Sequence, residues 1–223
     1  MNERETGEQA FTPALGRAEF TRIYDFAIRL LTREQVWRSA LLKQVSPRND
    51  ETILDVGCGT GTFAIMLKQK APKAQIVGLD PDPEVLALAG RKAESKGIDV
   101  KWRQGFARDT ARTPAAYDKA VSSLMFHQMP MAEKRVGLEA MFNALRPGGE
   151  LHIADYAHQP DRNMRRLFRW TVQRIDGVED TQPNADGALE EMLAELAGEK
   201  VMPVRVVRTL TGAISLFRLT RPL

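Results

Sequence analysis

Three glycines and an aspartate near the first third of the chain have the residue types of a binding loop for a charged, nucleotide-like ligand. Gly57, Gly59 and Gly61 alternate with small residues directly after an apolar run, and Asp55 lies just ahead of them. Residues without a Cβ atom let the backbone turn sharply and let a ligand approach the main chain. A helix that begins at Thr62 would point its free N–H groups at an anionic group of that ligand.

A second aspartate follows at the distance that a ribose site requires. Asp80 ends another short apolar run, Gln75–Leu79, about twenty residues beyond the last loop glycine. A carboxylate at the tip of the second strand of a βαβ unit accepts hydrogen bonds from both ribose hydroxyls. The pattern therefore predicts a ligand with an adenosine-like ribose.

The loop sequence distinguishes between three kinds of ligand. A phosphate-binding P-loop would need a lysine after the last glycine, where Thr62 and Phe63 stand. A dinucleotide fingerprint would need a glycine in place of Thr62. An acid ahead of the glycines is unfavourable beside a pyrophosphate, but it suits a ligand that carries an ammonium group.

Four motifs follow one another along the chain, and their order and spacing carry information about the family: Leu54–Gly61, Val77–Pro81, Tyr117–His127 and Leu145–Ile153. In these segments the chain resembles the class I S-adenosylmethionine-dependent methyltransferases, and most closely the small subgroup similar to ubiquinone/menaquinone-biosynthesis methyltransferases. The resemblance is strong over residues 50–156. It implies an α/β fold with a doubly wound, seven-stranded, mostly parallel Rossmann-like sheet of order 3-2-1-4-5-7-6. The last strand would be antiparallel, helices would cover both faces, and a helical arm would precede the sheet.

The resemblance also implies S-adenosyl-L-methionine as the cofactor, S-adenosyl-L-homocysteine as its product, and a small molecule as the methyl acceptor. Such an enzyme works mainly by proximity and orientation, because the cofactor brings its own reactivity. The loop backbone would bind the methionine end of the cofactor, with Asp55 helping to position that end and Asp80 holding the ribose. The predicted cofactor-binding residues are Tyr24, Asp55, Gly57, Cys58, Gly59, Gly61, Asp80, Pro81, Gly105, Phe106 and Ser122.

Two roles are open for each of Phe106 and His127. In the resembled family an acid often follows the glycine after the third strand and meets the adenine amino group, but Phe106 stands there. Its ring either packs against the adenine or fills the core. His127 trails the fourth strand, whose carboxyl end borders ligands in such sheets, and is the candidate general base. The alternative is a histidine that only lines the rim of the site.

The other histidines and the single cysteine predict no metal site. His152 lies within the fifth predicted strand and is expected in the core, while His158 and Asp155 lack the convergent spacing of metal ligands. Cys58 is expected to be a small packing residue rather than a nucleophile. A lone cysteine excludes an internal disulfide and fits a reducing cytoplasm.

The length of 223 residues suits one domain with a terminal appendage. We expect a disordered tail over residues 1–16, a helical arm over residues 17–45 and the methyltransferase domain over residues 46–223. The arm should contain two helices, the second beginning near Thr32, and either packs as scaffold or closes over the cofactor. The net charge of +3 comes from arginines spread along the chain, which is not the clustered pattern of a nucleic-acid-binding protein.

The last third is predicted as one amphipathic helix over Met164–Ile175, an acidic loop over Gly177–Gly187, a helix over Ala188–Leu196 and a hairpin. The first helix has an arginine-rich edge, which we interpret as solvated; contact with a membrane surface is the less favoured interpretation. No run approaches the eighteen or so apolar residues of a membrane span, and the N-terminus lacks the pattern of a secretory signal.

Two other functions stay open from the sequence alone. One is an NAD-dependent oxidoreductase with a variant glycine loop, which a cofactor titration would distinguish. The other is a module that binds the cofactor without turnover, which only product formation would exclude.

Overall fold

The computed structural model describes residues 32–223 of the chain. The strands are β1 (Thr52–Val56), β2 (Gln75–Asp80), β3 (Lys101–Gln104), β4 (Tyr117–Ser123), β5 (Leu145–Tyr156), β6 (Arg205–Thr209) and β7 (Gly212–Thr220). The helices are α1 (Glu34–Val45), α2 (Thr62–Lys70), α3 (Pro83–Glu94), α4 (Met131–Ala144), α5 (Arg162–Trp170), α6 (Val172–Asp176), α7 (Val178–Asp186) and α8 (Ala188–Ala197). Short 3-10 helices cover Ala107–Arg112 and Phe126–Gln128.

The strands form one seven-stranded sheet in the order β3-β2-β1-β4-β5-β7-β6, as predicted. β1 pairs in parallel with β2 and β4, and β4 pairs in parallel with β5. β7 is antiparallel to both of its neighbours, with Tyr156 opposite Ile214. The carboxyl ends of β1, β2, β4 and β5 therefore meet at one edge, which is where ligands bind in open α/β sheets.

Both faces of the sheet are covered, which explains why its central strands are apolar without alternation. Leu54 and Val56 pack with Leu138 and other residues of α4 on one face. Ile53 packs with Phe63 and others on the opposite face. Since the side chains of a strand alternate between faces, β1 contributes to two separate core layers.

α1 is the described half of the predicted arm. Its buried residues Trp37, Leu41 and Val45 pack in the same layer as Ile53, so this helix is part of the core. Tyr24, the other predicted helix of the arm and the predicted tail lie outside the described residues.

The single helix predicted over Met164–Ile175 is wrong, because the chain breaks it at Thr171. That residue has φ −114° and ψ −80°, and it separates α5 from α6. The break shifts the helical phase, so Ile175 is 58% exposed instead of buried.

The acidic loop predicted over Gly177–Gly187 is also wrong, since α7 occupies most of it and contains Pro183. Its sequence lacks an apolar stripe, so periodicity gave no helical signal. The helix is instead anchored by buried polar groups: Asn184 Nδ2 donates to the Tyr156 carbonyl at 2.7 Å, and Thr181 Oγ1 donates to the Gly177 carbonyl.

Smaller differences concern α4 and three strands. The helical spacing over Met131–Leu145 predicts an inward Val136, but this side chain is 47% exposed, whereas Lys134 is fully buried. Pro147–Gly149 predicts a turn, but it forms an irregular stretch inside β5: Leu145 pairs with Tyr117, and regular pairing resumes at Glu150. The runs that predict the third and sixth strands begin at Ile98 and Val201, whereas β3 and β6 begin at Lys101 and Arg205.

Between residues 32 and 223, no helix is long and apolar enough to cross a membrane.

Candidate active site

The glycine loop lies between β1 and α2 and touches the end of β2. Gly57 has φ +68° and donates its N–H to the Leu79 carbonyl at 2.8 Å. A Cβ atom at Gly57 would lie 2.5 Å from Met125 Sδ, so the lack of a side chain at Gly57 lets Met125, two residues beyond β4, approach the loop. Gly59 has φ +52°, and a Cβ atom there would meet nothing within 4 Å. Gly59 is therefore required by backbone conformation and open space rather than by protein packing.

Gly61 is required by an aromatic neighbour that sequence reasoning missed. A Cβ atom at Gly61 would lie 2.4 Å from Trp102 Cη2, and one at Gly78 would lie 2.5 Å from the Cζ3 of the same ring. The indole of β3 thus fits against two glycines, one at the N-cap of α2 and one inside β2. Packing accounts for Gly78, and at Gly61 it adds to a backbone φ of +70° that also favours glycine.

Asp80 is buried at the tip of β2 and faces the loop. Its Oδ2 accepts from the Gly59 N–H at 2.8 Å and its Oδ1 accepts from the Asp82 N–H at 3.1 Å. Burial raises the pKa of this carboxyl, opposed by the two backbone donors. Each carboxylate oxygen has a second lone pair, so Asp80 can accept two further hydrogen bonds from a ligand. Pro81 follows it, and its carbonyl accepts from Gln104 Nε2 at 3.1 Å.

Asp55 is fully buried in β1, on the face that α2 covers. Neither carboxylate oxygen has a hydrogen bond of normal geometry within the described residues. Burial raises its pKa to about 7, an effect that the Arg38 charge and the Ala64 amide of α2 oppose. Asp55 therefore carries its charge at a cost to the fold, beneath the first turn of the helix that follows the loop.

Ser122 and Cys58 are the other buried candidates. Ser122 lies beside Val56 in the sheet register, and its Oγ has no hydrogen-bond partner among residues 32–223. Cys58 is buried, and burial raises the pKa of its thiol far above the ordinary value. A thiol held in the protonated form is not a nucleophile, in agreement with the packing role expected for Cys58.

Phe106 is 40% exposed, so the core alternative for its ring is wrong. The guanidinium of Arg108 lies 4.3 Å from the ring centroid. The backbone N–H of Phe106 donates to Asp109 Oδ2 at 2.8 Å, and the preceding Gly105 donates its N–H to the Asp80 carbonyl at 3.1 Å. An exposed ring thus stands next to the strand end that carries the predicted ribose acid.

His127 belongs to a buried charged cluster at the carboxyl ends of β4 and β5. Its Nδ1 lies 2.6 Å from Asp155 Oδ1, and its Nε2 lies 3.4 Å from Asp176 Oδ2 of α6. Burial acts against the charged imidazole, but the charges and hydrogen bonds of the two aspartates outweigh it and raise the His127 pKa to about 9. At neutral pH the ring therefore holds two protons.

Two further groups border this cluster. Lys134 of α4 is fully buried, and its Nζ donates to the Asp180 carbonyl. Burial lowers the Lys134 pKa to about 8, opposed by the charges of Asp155 and Asp180. The ring of Tyr156 meets the imidazole edge-on at 5.1 Å, with its hydroxyl 2.5 Å from Thr211 Oγ1.

The backbone between β4 and His127 is strained. Leu124 has φ +52°, a conformation that costs a non-glycine residue of order 1–3 kcal/mol and that concentrates at functional sites. The next residue, Met125, covers Gly57 and donates its N–H to Asp155 Oδ2 at 3.0 Å. Met125 thus joins the glycine loop to the charged cluster.

The remaining histidine of the sheet is a core residue, as expected. His152 is fully buried, its Nδ1 lies 3.1 Å from Gln44 Nε2, and burial lowers its pKa, so it is neutral. Among residues 32–223, no group of three or more His, Cys, Asp or Glu side chains is arranged to hold a metal ion.

Asp155 and Asp176 are the site residues that sequence reasoning missed. Asp155 lies near the end of a predicted strand, at the edge of the sheet where ligands bind. That position could have marked it as a site residue, but Asp155 was considered only as a metal ligand. Asp176 follows the break at Thr171 and lies between the helix predicted to end at Ile175 and the loop predicted from Gly177, so no sequence pattern pointed to it.

Comparison with known proteins finds methyltransferases by family model, by sequence and by fold. The model of a family described as a methyltransferase domain matches residues 53–149. The chain is 31% identical to a demethylmenaquinone methyltransferase of Thermus thermophilus, over 71% of this chain and 72% of that protein. It is 31% identical to the demethylmenaquinone methyltransferase of Deinococcus radiodurans, over 68% of this chain and 63% of that protein. In fold it is similar to an O-methyltransferase family protein from Burkholderia thailandensis, with a TM-score of 0.68 and 16% identity over 92% of this chain and 60% of that one.

Proposed function

The chain belongs to the S-adenosylmethionine-dependent methyltransferases, and we propose that it methylates a small hydroxylated acceptor of the quinone type. The enzyme class rests on the relatives and on the family match. The same findings give no support to the oxidoreductase alternative. The acceptor is the part that we infer, because the relatives over most of the chain carry the name of demethylmenaquinone methyltransferases.

The residues at the ligand edge fit the cofactor. Open space at Gly59, the free lone pairs of Asp80 and the unpartnered Ser122 hydroxyl are available to a polar ligand. We assign the loop backbone to the methionine end and Asp80 to the ribose, and we place Phe106 beside the adenine because its ring is exposed there. Asp55 acts from beneath the loop, through the start of α2. Bound S-adenosylmethionine supplies an electrophilic methyl group.

The cluster around His127 carries the acceptor assignment. It lies at the ends of β4 and β5, next to Met125, which covers the glycine loop. A charged imidazole in a buried site binds an oxygen atom that carries negative charge, as an acceptor hydroxyl does when it becomes a nucleophile. We propose His127 as the catalytic residue that contacts the acceptor, with Asp155 as the residue that positions it. We also place the enzyme in the cytoplasm, in keeping with its single cysteine.

Two measurements test this function. Calorimetry should show binding of S-adenosylmethionine and S-adenosylhomocysteine and weaker or no binding of NADH. Release of S-adenosylhomocysteine should then be followed with reduced naphthoquinones and, for comparison, with amine and thiol acceptors. Tight cofactor binding without product from any acceptor would favour a module without turnover, and methylation of the amine or thiol alone would refute the acceptor class.

A further inference from the structure

The hydrogen bonds of Asp155 fix the protonation of His127 at one nitrogen. Asp155 Oδ2 accepts from the backbone N–H groups of Met125 at 3.0 Å and Phe126 at 2.7 Å. Its Oδ1 accepts from the Tyr156 N–H at 2.8 Å and lies 2.6 Å from His127 Nδ1. With three donors already bound, the carboxylate is held as an anion, so Nδ1 must be the donor in the fourth contact.

The second nitrogen of the ring also faces an acceptor. Asp176 Oδ2 lies 3.4 Å from Nε2, and a carboxylate has no proton to give. An imidazolium suits both sides of the ring, because it donates at Nδ1 to Asp155 and places its second N–H 3.4 Å from Asp176 Oδ2. The two carboxylates favour this charged form and raise the His127 pKa to about 9.

The two aspartates differ in how firmly they are held. Asp155 is fully buried in β5, whereas the Asp176 side chain is 25% exposed at the last position of α6. Gly177 follows with φ +85°, and a Cβ atom there would meet nothing within 4 Å. Among the described side chains around the imidazole, Asp176 is thus the partner that can leave at little cost in packing.

We propose that the Asp176 carboxylate occupies the binding position of the acceptor's oxyanion at His127 Nε2. A phenolate or enolate oxygen of the acceptor displaces Asp176 from that position. This inference rests on the methyltransferase function proposed above and adds the chemical form in which the acceptor binds. The exchange conserves charge, because one anion replaces another beside the imidazolium. A neutral amine or thioether acceptor would leave the imidazolium without its second anion.

The chemistry balances without a base. The acceptor loses its hydroxyl proton to solvent as it binds, and its electron pair forms the new bond to the methyl carbon. The sulfur keeps the electron pair of the bond that breaks and becomes a neutral thioether. Transfer to a ring carbon would in addition release the proton of that carbon. No oxidant or reductant takes part.

The groups that face the imidazole set the sign of the pH dependence. They are Asp155 and the Tyr156 ring from β5, and Asp176 from α6, while Lys134 of α4 acts on Asp155. Oxyanion binding needs the protonated ring, so affinity should be lost as pH rises through the His127 pKa of about 9. A general base would show the opposite trend, with activity gained over the same range.

The probe is 4-nitrophenol, whose anion absorbs visible light and whose neutral form does not. We expect the wild-type protein, with S-adenosylhomocysteine present, to bind it as the anion at a pH where most of the free phenol is neutral. His127→Gln should abolish this binding. Asp176→Asn should tighten it roughly fivefold, because a competing ion pair is removed. Asp186→Asn, the same chemical change at an exposed position of α7, is the matched control and should have no effect.

Weaker or unchanged binding to Asp176→Asn would overturn the proposal, as would full binding to His127→Gln. Nitrogen NMR of the ring gives an independent check that needs no ligand, because the chain has three histidines. A neutral His127 ring at pH 7 would refute the imidazolium. Calorimetry with S-adenosylmethionine on the same variants separates these outcomes from failure of the cofactor assignment, since all of them should bind it normally.

Discussion

Asp55→Asn should stabilise the protein, and the gain should grow with pH. Asp55 is fully buried and its folded-state pKa is about 7, against 3.8 as the ordinary value. Between these values the folded protein binds more protons than the unfolded chain, so this group makes stability fall as pH rises from about 4 to 7, with no further loss above. At 1.36 kcal/mol per pKa unit, the wild-type penalty is about 2 kcal/mol at pH 5 and about 4 kcal/mol at pH 8.

The assay is urea unfolding of both proteins at pH 5 and pH 8. All other titrating groups are shared, so the difference between the two proteins isolates Asp55, and it should grow by roughly 2–3 kcal/mol between the two conditions. Asp50→Asn provides the control, since it makes the same change on an 82% exposed side chain and should give parallel curves. Parallel curves for Asp55→Asn as well would show that Asp55 titrates like a solvated acid and would refute the reasoning.

Three further outcomes follow from the site. Asp80→Ala should weaken S-adenosylmethionine binding by about 1.5–3 kcal/mol without unfolding the protein, and unchanged affinity in calorimetry would show that the ribose lies elsewhere. Gly61→Ala should cost about 1–3 kcal/mol more in urea unfolding than Gly59→Ala, because only the former meets Trp102, and equal costs would leave backbone conformation as the whole effect. His127→Ala should lower turnover roughly 10²–10³-fold with cofactor affinity retained, because it removes the donor to the acceptor's oxyanion, and wild-type turnover in this variant would exclude His127 from the chemistry.

The proposed cofactor half of the site could be inferred from the sequence because one local segment encodes it. An apolar strand, a glycine loop and a helix start lie within residues 53–67, and Asp80 ends the next strand. The order of the strands was available only through the family resemblance of four motifs, because strands that are distant in the chain pair in the sheet, as β1 does with β4 and β5 with β7.

The acceptor half could not be predicted in that way, because distant segments assemble it. His127, Asp155 and Asp176 come from three elements, and only the fold brings the two aspartates within 4 Å of the His127 ring. The position of His127 after the fourth strand marked it as a candidate site residue, and the ordinary histidine pKa suggested a general base. Asp155 and Asp176, which the sequence does not place beside it, raise the His127 pKa to about 9 and so favour the charged ring instead. The segment before α7 was misread because the helix breaks at Thr171, and α7 itself was missed because buried polar groups, rather than an apolar stripe, hold it.

The indole of Trp102 has a consequence for how this chain can diverge. One ring fills the space that side chains at Gly61 and Gly78 would need. A smaller residue at position 102 would remove this obstacle at Gly78, whereas Gly61 would still be held by its φ of +70° and by the Cβ atom of Ala89 at 2.9 Å. At Gly59 a Cβ atom would meet no protein atom within 4 Å, so its packing does not depend on Trp102. Coupled substitution at positions 78 and 102 would therefore trace packing, and loss of Gly59 alone would mark a relative that has given up the ligand.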